Sequence, residues 1–447
     1  MYQTRLAWFV VSVVTLVSPI FADVAPWETA SLQPSWAGVR AQRVISLQPS
    51  NGDTDQVNGL ALMRAVERLR PGDRLEIAPG RYSVAAKWSV NLRGTKQAPI
   101  WIVAKSKDEP PTITRPDALQ NVMTVGERST TQYVCFRHLE LTGGSTLIRF
   151  YDCHHLWLDQ CHLHHSGAEG VTANSRDTSH LFITSNHFHD FVHPNATGEA
   201  MYLGANHGKA VMSYSVIANN HVHDCRGTQG DGIEVKQGSH HNWIIGNHVH
   251  DTNYPCIIAY GTSGNGINLI ERNVCYRSND NVMQMQGEAI VRNNLVMAPR
   301  GTGFASTDHQ GKSRGLSLIH NTILAKGRAV NLISWNGRDG MFLVNNVLYS
   351  DGGDAVRFPR GSADVTISGN LVTGRVVGAV SEGFAKGNGL SDFVDADWNG
   401  TRRSAALRAD SPFVGQADPE HATSTDIDGQ KRNQNPTAGA FVPRKGI

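Results

Sequence analysis

The chain has 447 residues with 41 basic against 39 acidic side chains, a formal net charge of +2, and so lacks the basic footprint of a nucleic-acid partner. Beyond the first 22 residues no stretch approaches the roughly 20 continuous apolar residues of a membrane helix, which argues against a membrane span. The six cysteines (Cys135, Cys153, Cys161, Cys225, Cys256, Cys275) contain no CxxC pair and are sparse for this length, favouring buried thiols over disulfides.

Residues 1–22 read as a signal peptide. Arg5 supplies the positive start, Leu6 to Val17 the apolar run, and Ser18, Pro19 and Ala22 the approach to cleavage, so the mature chain is expected in the periplasm or outside the cell. Residues 23–72 form a lead-in with a capping helix, since Val57 to Leu69 carries an apolar stripe and Pro71-Gly72 stops it. Arg74 to Tyr82 then reads as strand and turn.

From 73 to 375 an apolar residue is repeatedly followed, three positions on, by a small polar one. The pairs are Ile183/Asn186, Ile217/Asn220, Ile244/Asn247, Ile270/Asn273, Ile290/Asn293, Leu318/Asn321, Leu343/Asn346 and Ile367/Asn370, with Leu158/Cys161 as a weaker first member. They recur at intervals of about 20 to 34 residues, the range of a solenoid repeat, and the stretches between them alternate as strands do. The fold expected is all-β, a right-handed parallel β-helix of about 10 to 12 coils. Its corner asparagines should be in the left-handed region and hydrogen-bonded from coil to coil as a structural ladder. Residues 376–447, rich in Gly, Asp, Asn and Arg, read as a tail wrapped on the last coils.

Chemistry concentrates between Glu199 and Tyr260. Aligning the closing glycines Gly204, Gly238 and Gly261 stacks Tyr202 near Lys236, with Tyr260 one coil below. Period two puts Glu234 and Lys236 on one outward face. Lys236, Tyr260, Tyr202 and Glu234 are therefore the candidate catalytic residues, and Glu199, Arg226, His241 and Trp335 the candidate substrate contacts. Asp231 and Glu234 are candidate ligands for a possible calcium ion, the only cofactor expected. The bland alternative is an exposed Glu234–Lys236 pair on a solvated strand, worth little.

Eight histidines form a further pattern. His162, His187, His221 and His248 follow the ladder position, and His164, His189, His223 and His250 sit two residues later. Two imidazole columns should result, read first as a hydrogen-bonded stack, although imidazole also suits transition metals.

The segments AVERLRPGDRLEIAPGRYS (65–83) and GTKQAPIWIVA (94–104) resemble the opening of β-helix polysaccharide lyases that include alginate lyases and chondroitinase B. The tail from Leu407 to Val442, with Ser411-Pro412, Asp426-x-x-Gly429 and Gly439-Ala440, is similar to the close of many exported bacterial β-helix proteins. The resemblance implies a lysine base, matched by context at Lys236, and an assisting arginine one coil later, where this chain has Tyr260. It implies β-elimination from an acidic, uronic-acid-containing polysaccharide as the partner; the oligomeric state is left open by the sequence, with a monomer favoured. Two other classes remain: a glycoside hydrolase using Glu199, Asp231 or Glu234 across a gap of about 5 to 9 Å, and a non-catalytic glycan binder with a platform of Tyr202, Trp243, Tyr260 and Trp335.

Overall fold

The computed structural model describes residues 31–50, 52, 54–379 and 382–445; the expected signal peptide lies outside them. Over the described residues the chain winds as a right-handed parallel β-solenoid of about 13 coils, with one α-helix among them, near their N-terminal end. Thirteen strands follow one another through the first ladder, from Arg43–Leu47 to Val365–Ser368. Two further ladders complete each coil, one through the strands His187–Phe191, His221–Cys225 and His248–Thr252, the other through Met201–Leu203, Ile233–Val235 and Ile257–Ala259. There are more coils than the asparagine repeat implies because the early ones, such as those of Ile100–Ala104 and Thr131–Arg137, stack without any ladder asparagine.

Each coil sends apolar side chains inward from its ladders. Ile217, Val222 and Ile233 belong to one layer, Ile244, Val249 and Ile257 to the next, and all are fully buried in one continuous core. No coil could bury such a layer alone, so stacking is what makes the fold. The helix Asp55–Glu67 is capped by Thr54, whose side chain accepts from Val57 N, and buries Leu62 and Val66 against the core. Gly59 leaves no room for a side chain, since a Cβ there would lie 2.0 Å from Ser83 O.

The asparagine ladder runs through Asn186, Asn220, Asn247, Asn273, Asn294, Asn321, Asn346 and Asn370. At each step one Oδ1 accepts both the backbone N–H and the Nδ2–H of the asparagine in the preceding coil, as Asn247 Oδ1 does from Asn220 at 3.0 and 2.9 Å. Nδ2 also donates to a carbonyl of the coil before, Asn220 Nδ2 to Ile183 O at 2.8 Å. Two expectations need correcting. The ladder member after Asn273 is Asn294, which follows Val291 by three; Asn293 turns outward and donates to Thr425 O. The left-handed residue is the one before each ladder position, such as Asn219 (φ 54°) or Asn293 (φ 54°), because the corner turns there and the ladder amide must already point along the stack. A second, shorter ladder through Ser215, Asn242 and Asn268 went unrecognised in the sequence.

The tail lies along the side of the last coils. Phe393, Ala405 to Leu407, Ala440 and Phe441 cover outward-facing Leu295, Met297, Leu324, Val347, Tyr349 and Leu371, and Arg432 reaches Asn293 at 3.0 Å. All six cysteines are free and buried, as expected. No helix among the described residues is long and apolar enough to cross a membrane.

Because Asn247 satisfies buried groups in both neighbouring coils, Asn247→Ala should destabilise the solenoid by on the order of 3 kcal/mol, measured by chemical denaturation, while alanine at exposed Asn399 leaves the midpoint unchanged.

Candidate functional site

Ile233 and Val235 are buried in the core, so Glu234 and Lys236 stand on the opposite, outward side of the same strand. Outward does not mean exposed here: Glu234 is 3% and Lys236 4% accessible, and Tyr260 is 6%. The Lys236 ammonium is paired with Glu234 Oε1. It lies 4.4 Å from the ring centre of Tyr202 and 5.1 Å from that of Tyr260, within the reach of cation–π attraction. Tyr260 Oη donates to Glu234 Oε1 at 3.4 Å. The expected four residues therefore do converge, but as a buried pair between two phenol rings, which replaces the reading of a solvated surface pair.

The register differs from the one inferred by matching glycines. Tyr202 pairs with Glu234 and Glu234 with Ile258. Lys236 N donates to Leu203 O and Tyr260 N to Val235 O, which sets Lys236 between Gly204 and Tyr260. Gly204 is required there. A Cβ on it would stand 3.2 Å from Lys236 Cβ and 2.5 Å from Ser239 Oγ, and its φ is +85°.

Two loops that the sequence did not single out close over this column. His309 sets its ring 5.3 Å from that of Tyr260. Gln310 Nε2 donates to Asn206 Oδ1 at 3.0 Å, and His207 N donates back to Gln310 Oε1 at 3.2 Å. A Cβ on Gly311 would lie 2.8 Å from Gln286 Nε2 and 3.5 Å from Gln237 Nε2. These loops form a strap across residues 104 positions apart in sequence, which no local pattern could reveal.

Beside the lysine stands a row of carboxylates. Counting back two from the paired residues Val171, Met201 and Ile233 places Glu169, Glu199 and Asp231 in successive coils. Glu199 is 1% and Asp231 3% accessible. Glu199 Oε2, Asp231 Oδ1 and Glu234 Oε2 are buried without a hydrogen-bond partner. Burial, reinforced by Glu234 and Glu169, pushes the Glu199 carboxyl up to about 7. Burial also raises Asp231, with Glu234 and Glu199 adding to it, and raises Glu234 against the opposing pull of Lys236. Both tyrosines are raised by burial and by these carboxylates.

The remaining four candidates are placed elsewhere. Arg226 is exposed and bonded to Asp224 at 2.9 Å; with Arg277 and Arg300 it lines a groove of about 160 Å³ that contains no member of the Lys236 cluster. His241 stacks on Tyr214 at 4.9 Å. Trp335 is fully buried in the core, its indole N–H donating to Ser306 Oγ at 2.8 Å, and Trp243 lies on the first ladder. The expected aromatic platform is therefore not formed, because Trp335 faces the interior.

Residues 146–323 match the family model for the right handed beta helix region. Among solved structures the chain is similar to XylC in complex with xylose (11% identity, TM-score 0.58, 90% of this chain and 99% of that one). It is also similar to the pectate lyase Pel9A (15%, 0.51, 91% and 98%) and to the PL6 family alginate lyase AlyGC (13%, 0.51, 89% and 59%). At these identities the likeness is one of fold. No curated protein matches the chain.

Unfolded, Glu199 would titrate near 4.5; folded, it holds its proton up to about 7. Only the folded state is protonated between those values, so this group's contribution to stability is present below 4.5 and is lost as pH rises through 7. Thermal melting followed across that window should fall with pH in the wild type and fall less steeply in Glu199→Gln.

Proposed function

We propose that this protein is an exported polysaccharide lyase that cleaves an acidic, uronic-acid-containing glycan by β-elimination. The observation that carries the reading is the Lys236 amine held in a water-poor site between Tyr202, Tyr260 and Glu234. β-Elimination needs a base for the C5 proton, an acid for the departing oxygen and neutralisation of the sugar carboxylate. Burial raises the Glu234 carboxyl, which makes a proton on it less costly in this dry site. Glu234 can thus hold the proton that Lys236 must lose to act as base. The amine then takes the C5 proton, the electron pair forms the C4–C5 double bond, and the C4–O bond breaks. The Tyr260 hydroxyl, bonded to Glu234 beside the amine, protonates the leaving oxygen.

Calcium fits the neighbouring residues, because carboxylates are the hard oxygen ligands it takes and three of them carry a buried oxygen without a partner. Glu199 and Asp231 would hold it, Glu234 being engaged with the Lys236 proton, and when bound it would supply the positive charge that offsets the uronate. Substrate reaches Lys236 only if the Asn206–Gln310 strap opens, since the amine is otherwise covered. Export is supported by the Arg5, Leu6–Val17 and Ala22 pattern, and a sugar substrate by the fold shared with Pel9A and AlyGC.

A second reading, hydrolysis, is favoured by one observation: Glu199 is buried beside two other buried carboxylates, which pushes its carboxyl up to about 7, as a general acid requires. Incubation with alginate, pectate, chondroitin, hyaluronan and heparan separates the two. The lyase produces a rising ultraviolet absorbance from the unsaturated uronyl end on one substrate, lost by at least a hundredfold in folded Lys236→Gln and Tyr260→Phe. Reducing ends appearing without that absorbance, and vanishing in Glu199→Gln, would replace elimination with hydrolysis. An Asn206→Cys, Gln310→Cys pair, once oxidised, should hold the strap shut and suppress turnover until reduced; full turnover with the crosslink formed would show that the strap does not gate the site.

A further inference from the structure

The histidine columns lie on the outward face of the strands His162–His164, His187–Phe191, His221–Cys225 and His248–Thr252. Down each column the rings stack at 4.9 to 5.1 Å with their planes within 11°. Hydrogen bonds run diagonally between columns, His162 Nε2 to His189 Nε2 at 2.6 Å, His187 to His223 at 2.8 Å and His221 to His250 at 3.0 Å. At the far side of the second column a carboxylate accepts from Nδ1: Asp190 from His189 at 2.6 Å, Asp224 from His223 at 2.8 Å and Asp251 from His250 at 2.6 Å. That bond fixes the tautomer and leaves Nε2 as a lone pair facing the first column. An inert stack has no use for this carboxylate in three successive coils, whereas metal-binding histidines characteristically have one behind them.

Three nitrogens converge in each coil step. The ligand atoms of His162, His187 and His189 lie within 4.8 Å of one another, as do those of His187, His221 and His223 and of His221, His248 and His250. We propose that this face binds a divalent transition metal through three imidazoles, foremost His162, His187 and His189, with Asp190 positioning His189. The site is independent of Lys236 and of the reaction assigned to it. All-imidazole donors select zinc, copper or nickel rather than calcium or magnesium. Zinc–nitrogen bonds of about 2.0 to 2.1 Å in a tetrahedron put the nitrogens about 3.4 Å apart. The 2.6 Å His162–His189 contact therefore opens by less than an ångström as its proton gives way to the ion.

The sets are not equivalent. Arg403 brings its guanidinium to 2.9 Å from His248 Nε2, which repels a cation from the last set. Glu140, 3.2 Å from His164 Nε2, and Asp190 favour one at the first. Neighbouring all-imidazole sets share His187 or His221, so these three sets hold at most two ions.

Calorimetric titration of the untagged protein with zinc chloride, with cobalt(II) as an optical probe, tests this. The expected result is saturable uptake of one to two ions with the visible spectrum of nitrogen-ligated tetrahedral cobalt. His187→Gln should weaken binding at least tenfold, and Asp190→Asn, which keeps the side-chain shape, by about 10- to 100-fold, with circular dichroism and melting unchanged. Absence of saturable uptake by folded wild type would overturn the proposal, as would affinity and cobalt spectrum unaltered in Asp190→Asn and His187→Gln; should His187→Gln fail to fold, Asp190→Asn decides.

Discussion

One constraint underlies the molecule: each coil must lie in fixed register on the next. The asparagine ladder supplies it, because each Oδ1 binds two donors from the previous coil and each Nδ2 reaches a carbonyl of that coil. A slip of one residue would strand these buried amides and turn every core side chain outward. Register being held, residues of successive coils become columns, and chemistry is written down the columns rather than along the chain. Lys236, Tyr202 and Tyr260 meet although they span three coils, and so do Glu169, Glu199 and Asp231.

The outward face of the histidine-bearing ladder shows how position along the solenoid decides use. Over four coils it carries imidazoles, half-buried and open on one side. From His248 and His250 the same columns continue as Val274 and Tyr276, then Leu295 and Met297, and there the tail covers them. Arg403 of the tail sits on His248 and Tyr276 at the junction. The face changes from polar to apolar where its cover begins. Burial on this surface thus follows from what the tail and loops bring, not from the strands themselves.

That distinction explains what could be read from the sequence. Repeats, inward apolar positions and the outward pairing of Glu234 with Lys236 are set by period and spacing, and they are legible. Glycine matching misplaced the register between Tyr202 and Lys236 by two residues, since Gly204 serves to clear Lys236 rather than to close an equivalent turn. Adjacent Asn293 and Asn294 both satisfy the repeat, and what tells them apart is that Val291 packs in the central core while Ile290 does not. Trp335 reads as surface aromatic until its coil shows it pointing inward. The strap of Asn206 and Gln310 depends on a contact between distant loops, and it covers the outward face that Glu234 and Lys236 share.

The account rests on Lys236 being the group that meets the sugar. A crystal structure of Tyr260→Phe with a bound oligouronide tests this most directly. The account predicts an opened strap, a uronate carboxylate near Glu199 and Asp231, and C5 within about 3 to 3.5 Å of Lys236 Nζ, the separation of a reactive pose. An oligouronide bound elsewhere, in the groove of Arg226, Arg277 and Arg300 or along the histidine face, with the strap closed over Lys236, would contradict it.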